Sequence, residues 1–472
     1  MFKPDKQLAE QIDLWIEQNS SAFVKDLNRL VAIPSVSVPG DAAYPFGRHC
    51  ANVLDEVSAL AAGYGFQVDN HAYHCGSLLV KGRSPQAKRI GLYGHLDVVP
   101  PGDGWYYPPF SCTEKDGFLI GRGVWDNKGP ALCSLYALRF LNEHNIRLDH
   151  DVLVYFGLSE ETGMADIEYF CRTQQVPDFN LVTDTDFPVC YGEKGRIQAE
   201  ISRAFEGNLV SFHGGEAVNI IPAKAEALLR DVSMETAVRQ LGGREDIQIR
   251  QDGPLIRVSA RGLARHAAFP DGAVSAIHVL AGALAQSGLL QGSGQDAMAA
   301  LAAMTADFYG NGCGIAFEDR ESGKLTSAGS TAHGENGLLT VQFDIRYPVT
   351  VCGDLVTDGF ARRAESLGFS VTGTEVSPPA YVSLDDPRIS RLCEICDYVQ
   401  GKYYEPYTMG GGTYSRKLPH AVGFGPGIPD AGNLFGNGHG GCHQPDECVP
   451  FSMLKNALKT YILALLELDG ML

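Results

Sequence analysis

Residues 5–32 space their apolar side chains at helical intervals and end in the Pro/Gly exit VAIPSVSVPG, which predicts a first amphipathic helix. A second is expected over 47–64. Leu78-Leu79-Val80, Arg89-Ile90-Gly91-Leu92-Tyr93-Gly94, Asp151 to Gly157 (DVLVYFG) and Asn180-Leu181-Val182-Thr183 are short apolar runs, the pattern of strands covered on both faces. Gly129-Pro130 opens a helix to about Glu143, since proline in a first turn lacks only an N–H that has no helical partner. Strands alternating with helices predict an α/β layered domain with a mostly parallel sheet.

After Pro188 the pattern changes. RIQAEISRAF, IQIRQDG, LIRVSARG and LLTVQFDIRYP alternate with period two, as antiparallel strands with one wet face do. Helices are expected between them near 222–241, 273–290 and 354–368. This is an α+β unit with two similar halves, and the chain leaves it near Ser377-Pro378-Pro379. A helix over 386–401, a glycine-rich region over 409–441 and an apolar helix over 450–469 follow. The expected organisation is a catalytic α/β domain in two segments, 1–189 and 380–472, interrupted by an inserted α+β domain, 190–379.

Composition narrows the function. The 472 residues are 44% hydrophobic and 20% charged, enough for a large core and more than one domain. A formal net charge of −18 repels nucleic acid and anionic lipid, so neither is an expected partner. No apolar run approaches the ~20 residues that span a bilayer. The start, MFKPDKQLAEQIDLWIEQNSSAF, has acidic residues and no apolar signal core, so a cytoplasmic location is expected. The 12 cysteines are then expected as free thiols, and the lone CxxC at Cys393 and Cys396 as core filling in a helix.

Five tracts carry chemistry. Gly94-His95-Leu96-Asp97 stands where an apolar strand runs out, the usual place for ligands in open α/β sheets. Two apart in extended chain, Asp97 can reach the free N–H of the His95 imidazole. Gly121 to Pro130 (GRGVWDNKGP) sets glycines around Asp126, whose two oxygens can bridge two cations; an ordinary N-cap is the alternative. Glu160 and Glu161 follow DVLVYFG directly, and adjacent carboxylates at a strand end call for a positive charge unless they form a solvated loop. Asp184, with Asp186 as competitor, ends the next strand. The loop Gly438 to Glu447 offers His443, with His439 as its rival. Carboxylate and imidazole without thiolate suit catalytic zinc, cobalt or manganese.

In this order GHLDVVP, GRGVWDNKG, SEETG, TDTDFPV and HQPDE resemble the dizinc aminoacylase/carboxypeptidase family over nearly the whole chain. The length, DTDFPVCYGEKG and the tract Gly410 to Arg416 (GGGTYSR) resemble its PepV-type, carnosinase-like bacterial dipeptidases. The resemblance implies two zinc ions per chain. His95 and Asp184 would hold one, Glu161 and His443 the other, and Asp126 would bridge them through a residue whose link to Asn127 is cis. Asp97 would orient His95, and Glu160 would act as general base and then acid. It further implies that the inserted domain is the family's lid and that its His266, in RGLARHAAFP, stabilises an oxyanion. Asn219, Arg346, Gly411 and Thr413 would contact substrate, Arg346 through its carboxylate. The expected reaction is hydrolysis of dipeptides, including Xaa-His types, by a monomer. The alternatives are a deacylase of N-acyl amino acids and a non-catalytic metal-dependent binding protein.

Overall fold

A computed structural model describes residues 2–436 and 438–472. The chain divides into two compact units, one of residues 1–192, 380–407 and 412–472, the other of 193–379 and 408–411.

The first unit is a layered α/β structure. Strand Arg89–His95 lies between Asp151–Gly157 and Phe179–Val182, parallel to both, and Ala421–Gly423 continues the parallel run. Cys75–Val80 adds an antiparallel neighbour beyond Asp151–Gly157. The sheet is therefore parallel in its centre and mixed at its flank. Alternate side chains enter different layers, as the strand pleat requires. Leu92, Val154 and Leu181 join a large core with helices Lys6–Val31, Arg48–Gly63, Lys128–Glu143, Pro387–Gln400 and Phe451–Asp469. Tyr93, Tyr155 and Val182 pack on the opposite face with Ile167 and Phe170 of helix Ala165–Thr173 and with Tyr414. All 12 cysteines are unbonded; Cys393 and Cys396 lie on one helix, with Cys396 in the core.

The second unit is built on one eight-stranded sheet. Two four-strand groups meet where Leu209–Gly214 pairs with Thr326–Glu335. In one group the spatial order from that seam is Leu209–Gly214, Lys224–Leu229, Leu255–Arg261, Ile247–Asp252; in the other it is Thr326–Glu335, Leu338–Tyr347, Gly195–Ala204, Ser370–Ser377. Each group runs from its second strand through a helix (Met234–Leu241 or Gly353–Ser366) to its outer strand. The third place is filled by the next strand in one group and by Gly195–Ala204, the first strand of the unit, in the other. The halves thus share a layout but differ in connection.

One expected element is different. Part of the helix expected over 222–241 is the strand Lys224–Leu229, and only Met234–Leu241 is helical. KAEALL has good helix formers, but Ala225, Ala227 and Leu229 alternate inward and the segment is paired on both sides, so sheet pairing overrides intrinsic propensity. Among the described residues no helix is long and apolar enough to cross a membrane.

Candidate metal centre

Register aligns the chemistry. His95 pairs with Gly157 and Tyr93 with Val182, so the tracts bearing His95, Glu160, Glu161 and Asp184 leave the sheet along one carboxyl edge. His95 is buried, with Nε2 3.1 Å from Oδ1 of Asp126 and 3.7 Å from Oδ2 of Asp184. His443 reaches the same place from near the C-terminus: its Nε2 is 3.0 Å from Oδ2 of Asp126 and 3.0 Å from Oε1 of Glu161. The two oxygens of Asp126 therefore face different histidines. Ligand atoms of His95, Asp126 and Glu161, and likewise of His95, Glu160 and Asp184, are grouped closely enough to hold a metal ion.

The rivals separate. His439 donates to the Asp446 carboxylate through Nδ1 at 2.8 Å and stacks on Tyr106, away from the cluster. Asp186 sits in a short bridge to Pro426–Gly427, where its amide donates to the Tyr407 hydroxyl.

The supporting contacts differ in part from those expected. The Nδ1 of His95 lies 2.9 Å from the backbone oxygen of Asp97 and 3.4 Å from its carboxylate. That carboxylate accepts from the amides of Glu160 and Glu161, both at 3.1 Å, so Asp97 fixes the two glutamates as well as the imidazole. Asn127, which had no assigned role, follows a cis Asp126–Asn127 peptide. Its side chain donates to Asp184 Oδ1 at 3.0 Å and to the Thr183 carbonyl, and accepts from the His95 amide. Glu447 was also missed. Fully buried, it accepts from the amides of Gly123, Trp125 and Asp126 and pairs with Arg122 at 2.7 Å. Its place in HQPDE was the only sequence signal.

The electrostatics fit cations. Asp97, Asp126, Glu160, Glu161 and Asp184 converge on two imidazoles, while Lys128 is directed to the carbonyls of Leu30 and Ile33 and Arg122 to Glu447. Burial raises the Glu160 carboxyl well above the usual carboxylate range, and Asp184, Glu161 and Asp97 add to it against His95. Hydrogen bonds to Asp126 and Glu161 raise His443 to about 10. Burial opposes protonation of His95, yet the bonds to Asp126 and Asp97 leave its pKa well above the usual histidine range. Each imidazole thus presents Nε2 to carboxylate oxygens 3.0–3.1 Å away, a spacing that a divalent cation between them can take up. The donors present fit two such ions of the zinc, cobalt or manganese type.

The remaining expected residues belong to the second unit, apart from Thr413. Ile220, next to Asn219, pairs with His266, and the Asn219 carbonyl accepts from Ala267. The amide of Ala268 donates to Nδ1 of His266 at 3.1 Å, so the proton of a neutral ring is on Nε2. Burial and then Arg346 lower the His266 pKa, favouring that neutral form. Arg346 is buried; Asp344 takes its Nε and Nη2 at 2.6 and 3.0 Å, and the Gly410 carbonyl takes Nη1 at 3.0 Å. Three of the five N–H groups of a guanidinium are thus engaged. Gly411 belongs to this unit, whereas Thr413 caps the turn Tyr414–Lys417 in the first.

A layered α/β unit carrying a carboxylate–imidazole cluster at its carboxyl edge is an arrangement suited to metal-dependent hydrolysis. Residues 91–467 match the model of peptidase family M20/M25/M40, and the chain belongs to that family of metallopeptidases. A Bacillus subtilis protein named "Putative dipeptidase YtjP" is 31% identical over 394 residues, covering 80% of this chain and 82% of its own. A Staphylococcus aureus protein, also named "Putative dipeptidase", is 28% identical over 474 residues, covering 96% and 98%. Among solved structures, human carnosine dipeptidase 1 is similar with a TM-score of 0.58 at 17% identity, covering 98% of this chain and 99% of that one. Aminoacylhistidine dipeptidase from Vibrio alginolyticus gives 0.59 at 15% identity, covering 94% and 96%. At those identities the likeness concerns the fold.

Proposed function

We propose that this metallopeptidase hydrolyses dipeptides, Xaa-His among them, with two zinc ions, cobalt and manganese being alternatives. His95 and Asp184 would hold one ion, Glu161 and His443 the other, and Asp126 would serve both. The observation that carries this reading is the placement of the two Asp126 oxygens, each 3.0–3.1 Å from a different histidine. When bound, such ions lower the pKa of a water and polarise a carbonyl.

The chain's own residues supply the proton handling. Glu160 takes the proton of the attacking water and returns it to the leaving amine, as general base and then acid. Burial and the neighbouring carboxylates raise its pKa, which strengthens it as a base. Asp97 holds the Glu160 amide and the His95 ring, so base and ligand are positioned by one carboxylate. His266, neutral and protonated on Nε2, is assigned as donor to the developing oxyanion. Asn219, Arg346, Gly411 and Thr413 are assigned to substrate. Arg346 offers a carboxylate only the N–H groups that Asp344 and Gly410 leave over.

The relatives' names favour dipeptides over N-acyl amino acids. The test is zinc-loaded protein against dipeptides, acetyl-amino acids and succinyl-amino acids. Dipeptides are expected to be the best substrates by kcat/KM. Preference for acylated amino acids would make the chain a deacylase, and no turnover of any would leave a metal-dependent binding protein. We further infer a cytoplasmic location, in keeping with the 12 unbonded cysteines, and a monomer, supported by the two four-strand halves of the second unit, one of which could take the place a partner would fill. Full activity in a species sedimenting as a monomer is the expected result, and activity confined to a larger species would refute it.

A further inference from the structure

A second grouping of metal-type side chains lies on the eight-stranded sheet of the second unit. His213 is on strand Leu209–Gly214, and His333 and Glu335 are on Thr326–Glu335. The strands are antiparallel, with His213 directly opposite His333 and Ser211 opposite Glu335. Phe212, Ala332 and Gly334 are buried, so the pleat turns the three polar residues to the other, wetter face.

The geometry is close to that of a chelate. The His213 Nε2 is 3.1 Å from one oxygen of Glu335, and the His333 Nε2 is 3.8 Å from the other. One ligand atom from each residue can be chosen so that all lie within 4.8 Å of one another. Zinc bonds of ~2.0–2.1 Å at tetrahedral angles place ligand atoms about 3.3 Å apart, so small rotamer adjustments suffice. The imidazoles lie beside each other with ring centres 4.6 Å apart and planes tilted by 57°, and Glu335 is their ion-pair partner. Fixed register holds the pair without a loop having to order.

We propose that His213, His333 and Glu335 form a further metal site, taking one divalent cation of the zinc class with water completing its coordination. Two imidazoles and one carboxylate select borderline transition metals over magnesium or calcium. The site sits on the seam between the two four-strand halves, so an ion there ties one half to the other. His333 and Glu335 are exposed, which makes the site exchangeable with the surrounding metal pool.

Equilibrium dialysis of the full chain against buffered zinc tests this. Wild type is compared with His213→Ala, His333→Ala and Glu335→Gln at equal free zinc. Each histidine variant is expected to bind one equivalent less than wild type while retaining wild-type turnover. Glu335→Gln should bind the extra equivalent at least tenfold more weakly. Equal stoichiometry in wild type and both histidine variants overturns the proposal. So does a loss of one equivalent confined to a variant whose near-ultraviolet circular dichroism shows misfolding. The measured quantity is a difference between proteins, so it does not depend on how many ions the cluster around Asp126 holds.

Discussion

Oε1 of Glu447 accepts a hydrogen bond from the amide of Asp126 at 3.0 Å. Residues far apart in sequence are thereby coupled, because the same oxygen also takes the amides of Gly123 and Trp125. Glu447→Ala would free that loop and leave Arg122 buried without its partner. Breaking such a pair costs about 3–5 kcal/mol. Loss of a group supporting a metal ligand costs about 10–100-fold in metal affinity. Denaturation and zinc titration of the variant are expected to show both effects; wild-type zinc affinity would exclude the positioning role.

Glu160→Gln keeps size and polarity but cannot take a proton. The expected result is a fall in kcat of about 10²–10⁴-fold with metal content unchanged. Metal analysis beside steady-state kinetics checks it, and near-normal turnover refutes the assignment.

Asp126 and His95 should fail differently. Asp126 presents one oxygen to each histidine, whereas His95 turns a single nitrogen, Nε2, toward Asp126 and Asp184. Asp126→Ala is therefore expected to deplete both ions and His95→Ala chiefly one. Elemental analysis after gel filtration distinguishes them; two retained ions in Asp126→Ala would rule out bridging.

Chelation should destabilise the protein, because converging carboxylates lose their counter-charge. At a thousandfold excess over Kd a bound ion contributes about 4 kcal/mol. Removing the metal is expected to lower Tm by roughly 5 °C or more, with recovery on adding zinc back. An unchanged Tm would indicate that the cluster does not bind metal in the native protein.

Arg346→Ala is expected to raise KM for dipeptides by at least tenfold, and amidating the substrate C-terminus should mimic it in wild type. The variant also removes a partner of buried Asp344, so the amide is the cleaner reading. Unchanged kinetics for the amide would mean that the carboxylate is not read at this arginine.

What the sequence determined by itself was local. Apolar runs such as DVLVYFG and amphipathic stretches such as 6–31 specify their own strand or helix, because periodicity decides which face can be buried. Polar tracts at strand ends named His95, Glu160, Glu161 and Asp184 as candidates, since a parallel sheet exposes its chemistry at one edge, and the glycines around Asp126 before a helix named that residue. Tertiary structure decided what depends on distant partners. Lys224–Leu229 is a strand because neighbours on both sides supply its hydrogen bonds. His443 rather than His439 enters the cluster because Asp446 and Tyr106 hold His439 elsewhere. Asp97 turned out to hold two glutamate amides, and Asn127 and Glu447 to brace the ligand loops. Most of these are hydrogen bonds across tens to hundreds of residues, and no local pattern encodes which buried donor a carboxylate will meet.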